Sequence, residues 1–288
     1  MIFMDDGFLL KRTRWFPYLL VIPLLILISL FKIYPIGDSI ITSFRLREQW
    51  TLTNYQLLFA DKTFLNSLLV TLKMNGVMIP LQVVIAFCMA LLVNVNIKGV
   101  KVFRTIFYLP FCVSLSVATV VWQMMLTKNG GVVNSFLDMW GIGPMGFLTD
   151  TRWAWLSIIH IASWRGFPYW MMFFLAGLKG VDESLYEAAR IDGAGFWSTL
   201  FRITIPVIKN VFLFVFVANT TANFLLFAPV QIATGGGPQG STNVLMFEAY
   251  KSAFLYSNRP RAAAITTIIL VIIIMIVALQ RKLLDDNR

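Results

Sequence analysis

The chain has 288 residues, 58% apolar and only 13% charged, with a mean hydropathy of +0.75. Soluble domains carry about 25% charged residues, so the composition excludes an ordinary water-soluble fold and points to lipid as the main solvent. The net charge of +10 sits in short stretches between apolar runs, which fits membrane topology and lipid head groups rather than nucleic acid.

A basic tail, residues 1–14, comes first. Residues 15–33 form the first apolar run. It is too long for a cleaved signal peptide, and no small-x-small site follows it, so it reads as a retained transmembrane helix. Further runs cover residues 74–93 (starting as early as Asn66), 105–126, 153–178, 211–230 and 262–279. About 20 helical residues cross a hydrocarbon core of about 30 Å. Each run therefore suits one helix, and none has the short alternating pattern of a barrel strand. The expected fold is all-α: a six-helix transmembrane domain over residues 15–280, with short tails at 1–14 and 281–288. With the N-terminus inside, the inner segments hold 13 Lys and Arg and the outer ones 8. Both termini and residues 178–210 are therefore expected in the cytoplasm. Cys88 and Cys112 lie in apolar runs and read as small core residues rather than a disulfide or metal site. His160, the single histidine, reads as a packed residue hydrogen-bonded inside the bundle.

One segment between the fourth and fifth runs is charged: SLYEAARIDGAGFWSTLFRITIPVI, starting at Ser184. Ser184 and Glu187 have capping-box spacing. Ala188 and Ala189 leave a smooth face for another protein's backbone. Gly193 suits a left-handed helix stop, residues 196–205 form a second amphipathic piece, and Pro206 opens the next helix.

Glu187-Ala188-Ala189, Asp192-Gly193-Ala194 and Ile205-Pro206 resemble the EAA loop of ABC importer permeases of the binding-protein-dependent sugar class. Ile205 stands where that pattern has Leu. Asn210 stands where many members have a second Pro, which suggests a straighter start to the fifth helix. FRTIFYLPF (103–111), SWRGFPYWMMFFLAGL (163–178), TGGGPQGST (234–242) and AAAITTIIL (262–270) extend the resemblance over most of the chain, with maltose-permease-like features before the loop. The resemblance implies a type I importer permease fold in a bacterial inner membrane. It makes 178–206 a coupling loop, seated on a cytoplasmic ATPase through Glu187, Ala188, Ala189, Asp192, Gly193, Ala194 and Pro206. The implied partners are a second homologous permease, two ATP-binding subunits that hold ATP and Mg, and a periplasmic or lipid-anchored solute-binding protein. No G-x-x-x-x-G-K-[ST] occurs in the sequence, so no cofactor is expected in this chain and no enzymatic role for it.

Polar residues inside spans are costly and tend to line a cavity. Ser163, Gly166 and Tyr169 share a face of the fourth span, and Asn219 and Asn223 a face of the fifth. With Phe224, and with Phe111 in the third, they are the candidates for a sugar pathway by the maltose-type resemblance. Arg165 departs from that pattern. Pairing with a carboxylate of the sister subunit, or snorkelling, is the favoured reading; recognition of an acidic sugar or a phosphate ester is the other. Lys73 is expected to snorkel outward. A glycerol-phosphate or other polyol solute is the alternative within the family. An ion-coupled secondary transporter fits poorly, because the six runs contain no Asp or Glu.

Overall fold

The computed structural model describes residues 16–46, 49–95 and 97–285, and both the 1–14 tail and the last three residues lie outside that range. Helix α1 (Phe16–Ile28) passes through a π-helical turn (Ser29–Ile33) into α2 (Tyr34–Ser43). The first helix thus continues ten residues beyond the expected end at Ile33. Pro35 does not stop it, because it falls in the first turn after the π segment, where a missing N–H is tolerated. Asp38 is thereby inside the helix, exposed. Among the described residues, no side chain of α1 is buried. Beyond it, α2 packs on α14 (Arg259–Asp285), with Ser39 Oγ 3.0 Å from Thr266 Oγ1.

A two-residue-per-strand hairpin, β1 (Arg45–Leu46) and β2 (Gln49–Trp50), leads to α3 (Thr53–Ala60). Helix α4 (Lys62–Val93) starts twelve residues before Met74, because Asp61 caps it by accepting from Thr63 N at 2.8 Å. The third run is not one straight helix. Helices α5 (Val100–Cys112) and α6 (Leu115–Leu126) meet at 93°. Val113 and Ser114 are extended between them, and Ser114 Oγ caps α6 at Val117 N. After α7 (Val132–Asp138), Asp150 caps α8 (Thr151–Lys179). Next come α9 (Glu183–Ile191), α10 (Phe196–Thr199), a π turn and α11 (Ile205–Val207). Helix α12 (Lys209–Phe224) follows at 69° to the α10–α11 segment. The start of the fifth span is therefore bent, not straightened, in spite of Asn210: Ile208 leaves helical geometry between the two pieces. Helix α13 (Leu245–Tyr250) leads through a last π turn to α14.

Among the described residues, three helices are long and apolar enough to cross a membrane, or five if each bent pair is one span. At 29 residues, α8 is about 43 Å long, but His160, Arg165 and its hydroxyls make it more polar than the other spanning helices.

The bundle is built around α4 and α8, which share the largest contact. In lipid, helices associate through close packing and polar contacts rather than exclusion of water, and both are visible. Phe87, Phe174 and Phe212 form a three-ring cluster with centroids 4.6–5.4 Å apart. Gly177 brings α8 against α12 so closely that a Cβ there would sit 2.7 Å from Val211 Cγ2. Two expected core positions face outward: Cys88 and Cys112 are exposed. So is His160, which sets its ring edge-on to Trp122 at 4.3 Å. Lys73 lies 4.1 Å from the Trp155 ring centre, a cation–π seat rather than free extension.

At the end of the bundle far from α9, an ionic knot ties α3–α4, α13 and α14 together. Glu248 is 1% exposed. Its carboxylate accepts from Arg261 Nη1 at 2.9 Å and Asn243 Nδ2 at 2.9 Å, and pairs with Lys251 at 2.7 Å. Arg261 also reaches Asp61 at 2.7 Å, and Asn243 donates to Ser67. Burial pushes the Glu248 carboxyl up, but the hydrogen bonds from Asn243, Lys251 and Arg261 outweigh it and hold the group below its ordinary value. Asp61 is likewise lowered: burial opposes, and the Thr63 and Arg261 hydrogen bonds prevail.

Candidate solute cavity and coupling segment

A cavity of about 390 Å³ opens between α4, the end of α5, α8 and α12. Its wall follows from helical periodicity. Ala162, Arg165, Gly166 and Tyr169 come from one face of α8, and Asn219, Asn223 and Leu226 from one side of the α12 segment. Phe111, at the end of α5, stacks on Tyr169 with centroids 4.7 Å apart and planes 18° from parallel. The Arg165 guanidinium carbon lies 4.5 Å from the Phe111 ring centre, and Nε donates to the Val113 carbonyl at 3.5 Å. No carboxylate pairs with Arg165 among the described residues, and its Nη groups have no acceptor there.

The sequence candidates divide on this geometry. Phe111, Arg165, Gly166, Tyr169, Asn219 and Asn223 come together in the wall. Ser163 and Phe224 do not: both are buried, and neither lines the cavity. Ser163 stands behind the wall, accepting from Gln82 Nε2 at 3.2 Å. Phe224 falls next to Asn223 on the helix, and adjacent residues point about 100° apart, into the packing. Gln82 itself lines the cavity and was not among the candidates. A lone Gln in the apolar second run carried the same signal that singled out Asn219 and Asn223.

At the other end, Asp182 rather than Ser184 caps α9, accepting from Ser184 N at 2.9 Å. Hydrogen bonds from the Ser184 backbone and side chain lower the Asp182 carboxyl below its usual value. Ser184 is thus inside the helix, and Glu187 lies in its second turn, exposed and without a partner among the described residues. Ala188 is exposed, but Ala189 is buried against its own chain, so the face left for a partner is narrower than the sequence suggested. Asp192 ends the helix and Gly193 adopts φ +74°, letting Ala194 N donate back to Ala189 O at 2.9 Å. Pro206 is exposed in α11. Thr204 Oγ1 donates to Tyr186 Oη at 3.3 Å, a tie between α9 and the following π turn that no motif or spacing marks.

Residues 82–287 match the family model described as "Binding-protein-dependent transport system inner membrane component". The chain belongs to that family. The permease is 31% identical to the sn-glycerol-3-phosphate transport system permease protein UgpA of Salmonella choleraesuis (strain SC-B67), over 84% of this chain and 85% of that protein. Its fold resembles a chain in the crystal structure of a bacterial ABC transporter involved in the import of the acidic polysaccharide alginate, with TM-score 0.82, 22% identity, and coverage of 95% and 96%. A second structure, of a bacterial alginate ABC transporter in complex with an alginate pentasaccharide-bound periplasmic protein, gives 0.80 at 22% identity, covering 93% of each chain. The permease thus has the architecture of ABC importer membrane subunits, and it is the membrane component of a binding-protein-dependent importer.

Proposed function

We propose that this permease forms half of the membrane pathway of an ATP-driven importer for a hydroxylated solute carrying a negative group. The class comprises acidic sugars, oligosaccharides and polyol phosphates. Arg165 carries this reading: its guanidinium sits in the cavity wall with N–H groups unsatisfied, and a phosphate or carboxylate is the partner such a group takes in a poorly solvated site. Phe111 and Tyr169 offer ring surface to apolar sugar faces, and Gln82, Asn219 and Asn223 offer amides to hydroxyls. The named solutes of the two relatives, a glycerol phosphate and an acidic polysaccharide, both fit this class.

In this reading α8 and each bent pair count as one span, giving six spans with both termini in the cytoplasm of a bacterial cell. A homologous permease supplies the other half of the pathway, and a periplasmic or lipid-tethered protein delivers the solute. Two ATPase subunits, which hold ATP and Mg, seat α9 in a surface cleft. Their closure moves a helix stiffened at both ends, by Asp182 and by the Gly193 stop.

The test is Arg165→Leu in the reconstituted complex, reading subunit yield, basal ATPase rate and sn-glycerol 3-phosphate uptake together. Charge-assisted hydrogen bonds contribute about 1.5–3 kcal/mol, so uptake should fall roughly 10- to 150-fold with yield and basal rate intact. A fall in yield identifies a sister-subunit carboxylate as the partner, and unchanged uptake removes Arg165 from the pathway.

A further inference from the structure

Four polar side chains in and behind the cavity wall form one directed hydrogen-bond relay. Its origin is a group that can only accept, the Ile79 backbone carbonyl. Asn219 meets that oxygen through Nδ2 at 3.5 Å. Asn219 Oδ1 is thereby turned toward Asn223, whose Nδ2 donates to it at 2.7 Å. The same Nδ2 donates to Gln82 Oε1 at 2.9 Å. Gln82 then presents Nε2 to Ser163 Oγ. An amide nitrogen carries two hydrogens, and both of those on Asn223 are used inside the protein. Among the described residues its Oδ1 has no partner, on a side chain that lines the cavity. Gly166 makes room for the relay, since a Cβ there would come within 3.3 Å of Gln82 Nε2.

We propose that Gln82 is a positioning residue that holds the Asn223 amide with its carbonyl toward the cavity, so that the permease selects solutes presenting a hydroxyl donor as well as the negative group. The inference rests on the anionic-solute reading above. Asn219 alone holds the amide weakly, because its own anchor on Ile79 is the longest contact of the relay. With the Gln82 oxygen gone, the two asparagines can turn over together and present Nδ2 instead. A fixed carbonyl distinguishes a hydroxyl from fluorine, which matches it closely in size but donates no hydrogen bond. A freed amide, which can also turn its N–H toward either group, distinguishes them less.

The experiment compares import of sn-glycerol 3-phosphate with its two monofluoro analogues, in which fluorine replaces one or other hydroxyl. Wild-type, Gln82→Met and Gln82→Glu complexes share the same binding protein, so its selectivity cancels between them. Gln82→Met should lower the hydroxyl-to-fluoro import ratio roughly 3- to 10-fold for at least one analogue, the worth of one hydrogen bond. Gln82→Glu keeps an acceptor facing Asn223 Nδ2, and it should retain the ratio even where its negative charge slows all three solutes. If Gln82→Met assembles poorly, Gln82→Ala removes the same acceptor with a smaller side chain and should lower the ratio likewise. A ratio unchanged in the assembled Gln82→Met complex, or one lowered equally in Gln82→Glu, overturns the positioning role and leaves the anionic-solute reading standing. Failure of the wild-type complex to import any of the three removes polyol phosphates from the solute class, and overturns the positioning role for them.

Discussion

Glu248→Gln removes one negative charge from a site that holds two cations, with almost no change of shape. The carboxylate is 1% exposed, while the Lys251 and Arg261 side chains are 17% and 19% exposed. Stranding a fully buried ionic partner costs about 3–5 kcal/mol. Here both cations reach some solvent, and Arg261 keeps Asp61 at 2.7 Å, so the expected loss is smaller, about 2–3 kcal/mol. At roughly 2–4 °C per kcal/mol for a large domain, the thermal midpoint of the detergent-solubilised permease should fall by about 4–12 °C. Acid should narrow the difference. The folded Glu248 carboxyl titrates below its ordinary value, so its stabilisation is present above the unfolded value and disappears as pH falls through the folded one. The midpoints of wild type and variant should therefore converge on acidification. The decisive control is the cycle with Arg261→Gln. Groups in one network couple, so the double variant should be less destabilised than the sum of the singles by at least ~1 kcal/mol. Additivity within ~0.5 kcal/mol would refute the reasoning, because it would mean that the knot contributes no mutual stabilisation.

Two further predictions concern the coupling segment. Gly193→Val puts a β-branched residue at φ +74°, where strain of about 1–3 kcal/mol is expected. No neighbour lies within 4 Å of a Cβ there, so Gly193→Asn, which tolerates that backbone, should retain solute-driven ATPase while Val loses it; equal activity in both would contradict a backbone requirement. Glu187→Lys reverses an exposed charge with no partner among the described residues. The solubilised permease should keep its stability within about 0.5 kcal/mol while co-purification with the ATPase subunits falls, and intact co-purification would take Glu187 out of the contact.

The cavity stripes were legible because a polar group inside an apolar run is expensive wherever it sits, and i, i+4 spacing fixes which of them share a face. Gln82, an amide in the apolar second run, was equally legible by that rule. The outward positions of Cys88, Cys112 and His160 were not legible. Lipid is as apolar as a packed helix interface, so periodicity that separates core from water in a soluble protein does not separate core from lipid. The cap on α9 misled for another reason: Ser184 and Asp182 both have capping side chains, and only the backbone path decides which one receives the N–H. The 93° turn at Val113–Ser114 carries no Gly or Pro at the break itself, so the apolar run read as continuous.

The most direct measurement is an experimental density map of the assembled importer trapped with sn-glycerol 3-phosphate. The expected map places this permease beside a homologous one, with α9 seated on an ATPase subunit. The phosphate should lie within about 4 Å of the Arg165 guanidinium, the ordinary reach of an ion pair, and a solute hydroxyl should meet Asn223 Oδ1. A map with Arg165 closed onto a carboxylate of the sister subunit, and solute density away from Phe111, Tyr169 and Asn223, would contradict it.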